Sequence, residues 1–341
     1  MVENYLSMRK VKALILLSGG LDSILAAKIL KSQEIKVSAL SFKSYFFNAE
    51  NAKKAAKNLK IPIRIIDFSK EHLKIVKSPK HGYGRFMNPC IDCHILMLKK
   101  AKEIMEKEKY DPAPEQARYG ASFIATGEVL GQRPMSQHRT ALNLIEKESD
   151  LKGFLLRPLS AKLLNETVVE RTGLVNRSKL FDVSGRSRKR QIALAKKWKI
   201  KSYPTPAGGC LLTEAEFGKR LKELFKICPK CNGNDIKLLK LGRHFCFTLS
   251  SPKGEGGSWV KIIVGRNHKE NLNLKRLAQK NDILIEMENY PGPTTLIRDY
   301  NKNKIAAKII KKAKILTKYY SPKARNKKDI KFKIDFFEKN R

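Results

Sequence analysis

An apolar run that breaks into two glycines and restarts as a helix limits the fold of this chain more than any other feature. Residues 13–17 (ALILL) carry no polar side chain, as a strand covered on both faces of a parallel sheet requires. Ser18, Gly19 and Gly20 follow, without bulk where the backbone must turn, so successive N–H groups can point at one anion. From Leu21 the apolar positions Ala26, Ala27 and Leu30 continue as a helix, and its positive dipole end backs that turn. Together these residues predict a phosphate seat at the carboxyl end of a strand.

The spacing fits neither GxGxxG nor a glycine loop ending in Lys-Ser/Thr. SGGLDS, residues 18–23, instead resembles the SGGxDS signature of the PP-loop ATP pyrophosphatases. That resemblance implies an adenine nucleotide alpha hydrolase-like fold and cleavage of ATP between its α and β phosphates, leaving an adenylated substrate. It implies Ser18, Gly19, Gly20, Leu21 and Ser23 as nucleotide-binding residues. Asp22 is implied both to bind and to act in catalysis, organising Mg²⁺ or the phosphates. Phe42 and Gly127, at the ends of later strands, are counted with the cofactor site. An ordinary glycine turn with an incidental Asp is the alternative.

At 341 residues the chain can bury more than one core, and two domains are expected, 1–225 and 226–341. In the first, residues 35–42 and 61–68 read as strands with an Ala- and Lys-rich helix over 48–59 between them. A loop with Gly82 and Gly84 leads to Pro89, which opens a helix with Ile91, Ile95, Leu98, Ala101 and Ile104 on one face. Residues 120–127 and 153–161 read as further strands, and the polar loop after the former carries Gln132, Arg133, Gln137, His138 and Arg139. A helix from Asn165 to near Gly173, a basic helix over 187–199 and an amphipathic helix over 214–225 close the domain. Alternating strands and helices predict an α/β doubly wound parallel sheet with its ligand beyond the carboxyl ends of the strands. From residue 235 the pattern turns to strands (238–249, 258–266, 283–288), then a basic helix over 303–318 and a strand over 330–337. That half is expected to be a smaller α+β domain.

Lysine and arginine number 71 against 32 acidic residues, a formal net charge of +39. Such an excess repels itself unless a polyanion shares it, and nucleic acid is the expected partner. From residue 301 onward cations outnumber acids by 15 to 3, and the helical spacing of Ile305, Ile309, Ile310 and Ile315 favours a folded basic surface over a disordered tail. Arg186, Arg188, Lys189 and Arg190 are expected to position an RNA backbone rather than read bases. No uncharged stretch is long enough to span a bilayer, and no signal-peptide core precedes the first strand. A cytoplasmic protein with no membrane partner is expected, with its oligomeric state left open.

Six cysteines are too few for a disulfide scaffold, and four of them form CxxC pairs, Cys90 with Cys93 and Cys228 with Cys231. One turn apart at a helix start, Cys90 and Cys93 are expected to be drawn toward the thiolate by the dipole. The 228–233 segment, CPKCNG, reads as half a zinc knuckle that His244 and Cys246 would complete from one strand face. A solvent turn with incidental thiols is the alternative there. His94 reads as a surface or core histidine rather than a ligand.

NPCIDCH (88–94) is similar to the NPxxxCN segment of the tRNA 2-thiouridylases, FIATGE (123–128) to their ATGHYA strand, and LLRPLS (155–160) to the strand that closes their PP-loop domain. LLKLGRHF, VGRNHKENLNL, NDILIEMENYPGPTTLI and KYYSPKARNKKDIKFKI, in that order, resemble the RNA-binding domain of the NFACT proteins. The histidine-rich chemistry around the PG turn is missing here, which implies binding rather than catalysis in that half. Together the resemblances imply an ATP-dependent tRNA thiouridine synthetase, which adenylates a uridine carbonyl oxygen and replaces it with sulfur, giving 4-thiouridine or 2-thiouridine.

In relatives that use a persulfide the position of Cys90 is usually Asp, and Cys93 and Cys210 match the sulfur-relay pair. With Cys90 added, the three thiols resemble the set that holds a [4Fe-4S] cluster in other thiolases, one iron staying open to hydrosulfide. Cys90, Cys93 and Cys210 are therefore expected as catalytic residues and as metal ligands, with a metal-free persulfide relay and inert buried thiols as alternatives. The sulfur donor, hydrosulfide or a cysteine desulfurase or carrier, stays open. Two other classes compete: an amide-forming or lysidine-type PP-loop ligase that needs no cysteine, and a non-catalytic RNA-binding factor with an ATP switch.

Overall fold

The computed structural model describes residues 11–107, 122–204, 210–249, 258–301 and 305–337. Two compact units divide between Glu214 and Ala215. In the first, β1 (Lys12–Leu16), β2 (Lys36–Lys43), β3 (Ile63–Asp67), β4 (Ser122–Thr126) and β5 (Leu155–Leu156) form one parallel sheet in the order β3-β2-β1-β4-β5. The apolar β1 is central, pairing Leu14 with Ser38 on one side and Ile124 on the other. α1 (Leu21–Lys31) lies on one face and is buried almost all round through Leu21, Ile24, Leu25, Ala26, Ala27, Ile29 and Leu30. α2 (Glu50–Leu59) adds Ala55 and Ala56 to that layer. On the other face α4 (Cys90–Lys107) buries Ile95, Leu98 and Ala101 of its predicted stripe against Phe42 and Phe68, with Ile91 and Ile104 only partly buried and Met105 buried beside them.

The doubly wound sheet follows the sequence, but several elements differ. The strand expected over 153–161 shortens to Leu155–Leu156, because Arg157 leaves the ladder for a buried ionic network and Pro158 follows. The helix expected from Asn165 is only α6 (Val168–Arg171). Thr167, not Asn165, caps it in a reciprocal pair with Glu170, and Gly173 ends the segment at φ +72°. Residues 120 and 121 of the expected fourth strand lie outside the described residues. α3 (Ser69–Lys77) and α5 (Arg139–Glu148) are helices beyond those expected from the sequence, while the basic helix is α7 (Lys189–Lys197).

The second unit contains α8 (Ala215–Ile227), α9 (Gly233–Leu238), β6 (Arg243–Leu249), β7 (Ser258–Val264), α10 (His268–Leu277), β8 (Ile283–Met287), β9 (Thr295–Asp299), α11 (Ala307–Tyr319) and β10 (Phe332–Phe336). Its antiparallel sheet runs β10-β8-β9-β7-β6. One face packs on Ile309 and Ala313 of α11, the other on Leu238 and Leu274. α8, read in the sequence as the end of the first domain, falls in this unit, where Arg220 donates to the Leu239 carbonyl at 3.2 Å. Under the sheet, Arg298 is 5% exposed and bridges Asp235 at 2.8 Å and Asp282 at 2.6 Å. Among the described residues no helix is long and apolar enough to cross a membrane.

His72 on α3 is fully buried, stacked on Phe68 at 5.0 Å and edge-on to Phe46 at 5.5 Å, with neither ring nitrogen partnered. Burial pushes its pKa from 6.5 down to about 4. The folded chain refuses a proton that the unfolded chain accepts, so stability is held above pH 6.5 and is lost as pH falls toward 4. His72→Phe is expected to remove up to about 3 kcal/mol of that acid-side loss. Denaturant unfolding at a series of pH values checks it, and an unchanged slope in the variant would count against the assignment.

Candidate active site

The strand order reverses between β1 and β4, so the chain segments leaving them diverge and open a crevice at their carboxyl ends. A cavity of about 730 Å³ fills it, walled by Ser18, Gly20, Leu21, Asp22 and Ser23. Close backbone approaches fix this wall. Gly19 has φ +80°, and a Cβ there would stand 2.3 Å from the Asn51 carbonyl carbon. A Cβ on Gly127 would stand 2.5 Å from the Ser23 nitrogen, so the chain leaving β4 lies directly on the first turn of α1. Gly20 occupies the N-cap and offers no side-chain oxygen, which leaves the first amides of α1 open to a ligand. Ser23 Oγ donates to the Gly20 carbonyl at 2.9 Å and stiffens the turn.

Seven of the eight predicted nucleotide-binding positions, Ser18, Gly20, Leu21, Asp22, Ser23, Phe42 and Gly127, line the cavity, Phe42 with Phe46 and Phe47 in an apolar wall. Gly19 supports the turn from behind. Asp22 Oδ2 accepts from Gln132 Nε2 at 2.8 Å, while its Oδ1 is buried without a partner. A buried carboxylate oxygen beside open amides is a fitting ligand for a hard divalent cation that accompanies phosphate.

Cys210 also lines the cavity, whereas Cys90 and Cys93 sit behind it at the start of α4. Cys210 and Cys90 both lie near enough to Cys93 for their charges to bear on it. Burial pushes the Cys93 thiol well up, and the adjacent Cys210, Cys90 and Asp92 push it in the same direction. The Cys90 thiol is also raised by burial, against a smaller opposing effect of Arg133. The thiolates expected from the helix dipole are therefore corrected: burial outweighs the dipole and raises both thiols. The Met87 amide donates to the Leu212 carbonyl at 3.2 Å, tying the loop before Cys90 to the segment carrying Cys210. His81 pins the same loop to α4 through Asp92 at 2.9 Å.

Among the described residues no group of three or more His, Cys, Asp or Glu side chains stands close enough to hold a single metal ion. A lone ion draws thiolates to about 2.3 Å from one centre, whereas a four-iron cube takes its ligands farther apart. Three neighbouring soft donors fit the latter. The zinc knuckle finds no such support: Cys231 is buried, and Cys246 Sγ lies 3.2 Å from Glu223. His244 has both nitrogens buried without partners, and burial brings its pKa down to about 3.

One group on the cavity wall escaped the sequence reading as functional. His94 lines the cavity, and its Nδ1 lies 2.7 Å from Glu128. The other Glu128 oxygen accepts from Arg157 Nε at 2.9 Å and Thr126 Oγ1 at 3.0 Å. Burial would raise the Glu128 pKa, but Arg157 and His94 together bring it down to about 2. Charged residues at the ends of the otherwise apolar β4 and β5 were the available sequence signal, since a charge at a buried strand end is ordinarily paired. Arg188, read as part of an RNA grip, lines the cavity instead.

A parallel α/β sheet that delivers an SGGLDS turn into its switch-point crevice defines a PP-loop nucleotide-binding domain. The chain belongs to the ThiI family, whose model, described as thiamine biosynthesis protein (ThiI), matches residues 9–202, more than half of its length. A second model, the NFACT protein RNA binding domain, matches residues 242–341. The chain is similar to the tRNA-specific 2-thiouridylase MnmA of Buchnera aphidicola, with 25% identity over 73% of this chain and 67% of the relative. The MnmA of Caldicellulosiruptor saccharolyticus is 26% identical over 77% of this chain and 74% of the relative. A 4-thiouridine synthetase solved as an RNA complex with bound ATP is similar over 55% of this chain and 49% of its own, at 20% identity and a TM-score of 0.32. A predicted tRNA methyltransferase subunit from Methanocaldococcus jannaschii covers 55% of this chain and 76% of its own, at 15% identity and a TM-score of 0.33.

Glu128→Ala would leave the Arg157 guanidinium, 3% exposed, without one of its two carboxylates, and is expected to destabilise the unit by about 3–5 kcal/mol. Replacing both, as Glu128→Leu with Arg157→Met, is expected to recover most of that loss. Equilibrium unfolding of the two variants checks it, and a double variant no better than the single one would refute the uncompensated-charge account.

Proposed function

We propose that the protein is an ATP-dependent tRNA thiouridine synthetase. The observation that supports this reading most is that Cys210 lines the same cavity as the SGGLDS turn while lying beside Cys93. Sulfur chemistry and nucleotide chemistry then share one space. A uracil carbonyl is a poor electrophile, and its oxygen leaves only after conversion to a better leaving group, such as an adenylate. Ser18, Gly20, Leu21 and Ser23 bind the phosphates through the open amides, with Gly19 shaping the turn. Asp22 holds Mg²⁺ through its unpartnered oxygen. Phe42 and the apolar wall exclude water from the reactive adenylate, and Gly127 lets the turn close on the strand end.

Cys90, Cys93 and Cys210 are the residues that would hold a [4Fe-4S] cluster, which when bound supplies an iron with an open position for hydrosulfide. Burial raises the Cys90 and Cys93 thiols, so loading must expel their protons and tightens as pH rises. Anaerobic reconstitution with iron and sulfide is expected to give a brown protein more readily at higher pH, and each Cys→Ser variant is expected to lose the colour. Mass spectrometry of tRNA nucleosides from cells lacking the gene is expected to show loss of a thiouridine that neither Asp22→Ala nor Cys210→Ser restores. Cys90→Asp separates the cluster from a relay: a cluster does not survive it, whereas a persulfide relay through Cys93 and Cys210 keeps thiolating. Full activity of all three cysteine variants would select an amide-forming ligase instead.

The RNA partner is supported by the surface of the second unit. Between residues 305 and 328 there are nine cations and no carboxylate. On α11, Lys308, Lys311 and Lys312 are exposed in one stripe with Ile315 and Tyr319. Lys312 lies 4.6 Å from the Phe247 ring and Arg325 lies 4.8 Å from the Tyr319 ring, an arrangement of rings and cations suited to phosphates and unstacked bases. Changing Lys308, Lys311 and Lys312 together to Ala is expected to weaken tRNA binding and to lower its log–log salt slope by about 2–3. Titrations at several salt concentrations check it, and an unchanged slope would move the contact to another face.

A further inference from the structure

Arg188 belongs by sequence to a run of cations just before and within α7, and the fold separates it from the rest. Arg186, Lys189 and Arg190 are exposed, while Arg188 lines the cavity beside Asp22 with its side chain only 17% exposed. Its Nη2 stands 3.9 Å from Asp22 Oδ2, beyond hydrogen-bond reach, and its Nε is buried with no partner. Asp22 Oδ2 already accepts from Gln132. A guanidinium withdrawn from water with its fork unfilled is costly unless a ligand completes it. The wall it shares with Ser18–Ser23 presents uncapped helix amides, which also call for an anion.

We propose that Arg188 is a catalytic residue that binds the terminal phosphates of ATP and stabilises pyrophosphate as it leaves. The inference rests on the nucleotide-site reading above. In the adenylation step the uridine carbonyl oxygen forms a bond to the α phosphorus, and the bond from that phosphorus to the bridging oxygen breaks. The electron pair of the broken bond stays on pyrophosphate, and the uridine N3 proton passes to water. Negative charge grows on the departing oxygen, where a planar cation already stripped of water and held in place acts most strongly. The surrounding contacts hold it there. Gln191, buried on α7, donates to Gln132 at 3.1 Å, and Gln132 donates to Asp22, so the start of α7 is tied to the phosphate turn.

Arg188→Gln and Arg188→Lys test this in two assays on the full-length protein, with thermal unfolding confirming that both variants fold. In turnover with ATP and tRNA, Arg188→Gln is expected to slow pyrophosphate release about 100- to 1,000-fold. Arg188→Lys should recover part of the rate, and tRNA affinity and its salt slope should stay as in the unaltered protein. In calorimetric titration with magnesium pyrophosphate alone, Arg188→Gln is expected to bind at least tenfold more weakly. Normal pyrophosphate binding and release in Arg188→Gln would overturn the assignment, and weaker tRNA binding in its place would return Arg188 to the RNA surface. If the unaltered protein binds pyrophosphate through Arg188 yet modifies no tRNA, the anion contact stands and the thiolation reading falls.

Discussion

The arrangement depends on three backbone segments lying closer together than any side chain would allow. Gly19 faces the Asn51 backbone and Gly127 faces the first turn of α1, each at a distance that a Cβ would reduce below contact. This crowding aims the uncapped amides of α1 into the crevice rather than at a neighbouring oxygen. α1 itself is buried almost all round, so its amino end has little freedom to drift. A phosphate site made from backbone amides on such a helix needs no rearrangement to receive its ligand, and that preorganisation is where electrostatic binding energy is greatest.

The second support is ionic and lies behind the wall. Buried Glu128 and Arg157 and half-buried Glu146 form a chain of charges joined to His94 on α4 and Thr126 on β4. Such a chain is weak grounds for stability, since an apolar replacement packs as well. Its consequence here is orientation. With Glu128 ionised, His94 Nδ1 is fixed as the donor, and the first turn of α4, which carries Cys90 and Cys93, is held against the ends of β4 and β5. The same burial that positions those sulfurs keeps them protonated, so the thiols are quiet until something in the site takes up the charge.

The phosphate turn was legible because its signal is local: an unbroken apolar strand, two glycines and a helical period within a short run of sequence. The doubly wound class followed from the same alternation. α3, α5 and α10 were missed because they are short helices between stronger signals, and β9 because its residues TLIRD end in two charges, of which the fold buries Arg298 against Asp235 of α9 and Asp282 just before β8. The thiolate expectation failed for a different reason. A helix dipole can be read from position, but desolvation depends on what packs over the side chain, and that is a property of the whole fold. Cys210 stands far from Cys90 in sequence, and only the resemblance, not any spacing, brought the two together in advance.

Charge shows the same division between what composition reveals and what it leaves open. An excess of 39 positive charges calls for a polyanion but assigns no cation to it. The fold sorts them. Arg157 and Arg298 are consumed by buried carboxylates and contribute nothing to an external field. Arg133 and Arg188 line a cavity, where a single anion in fixed geometry is the natural counterpart. Lys308, Lys311 and Lys312 of α11 stand in water, where each is worth little to stability and would matter mainly through the counterions that a nucleic acid releases on binding. Exposed cations of this kind make affinity fall steeply with salt, whereas a cation held in a cavity acts on one anion at short range, so on the reading proposed above RNA affinity and pyrophosphate affinity would respond to different residues.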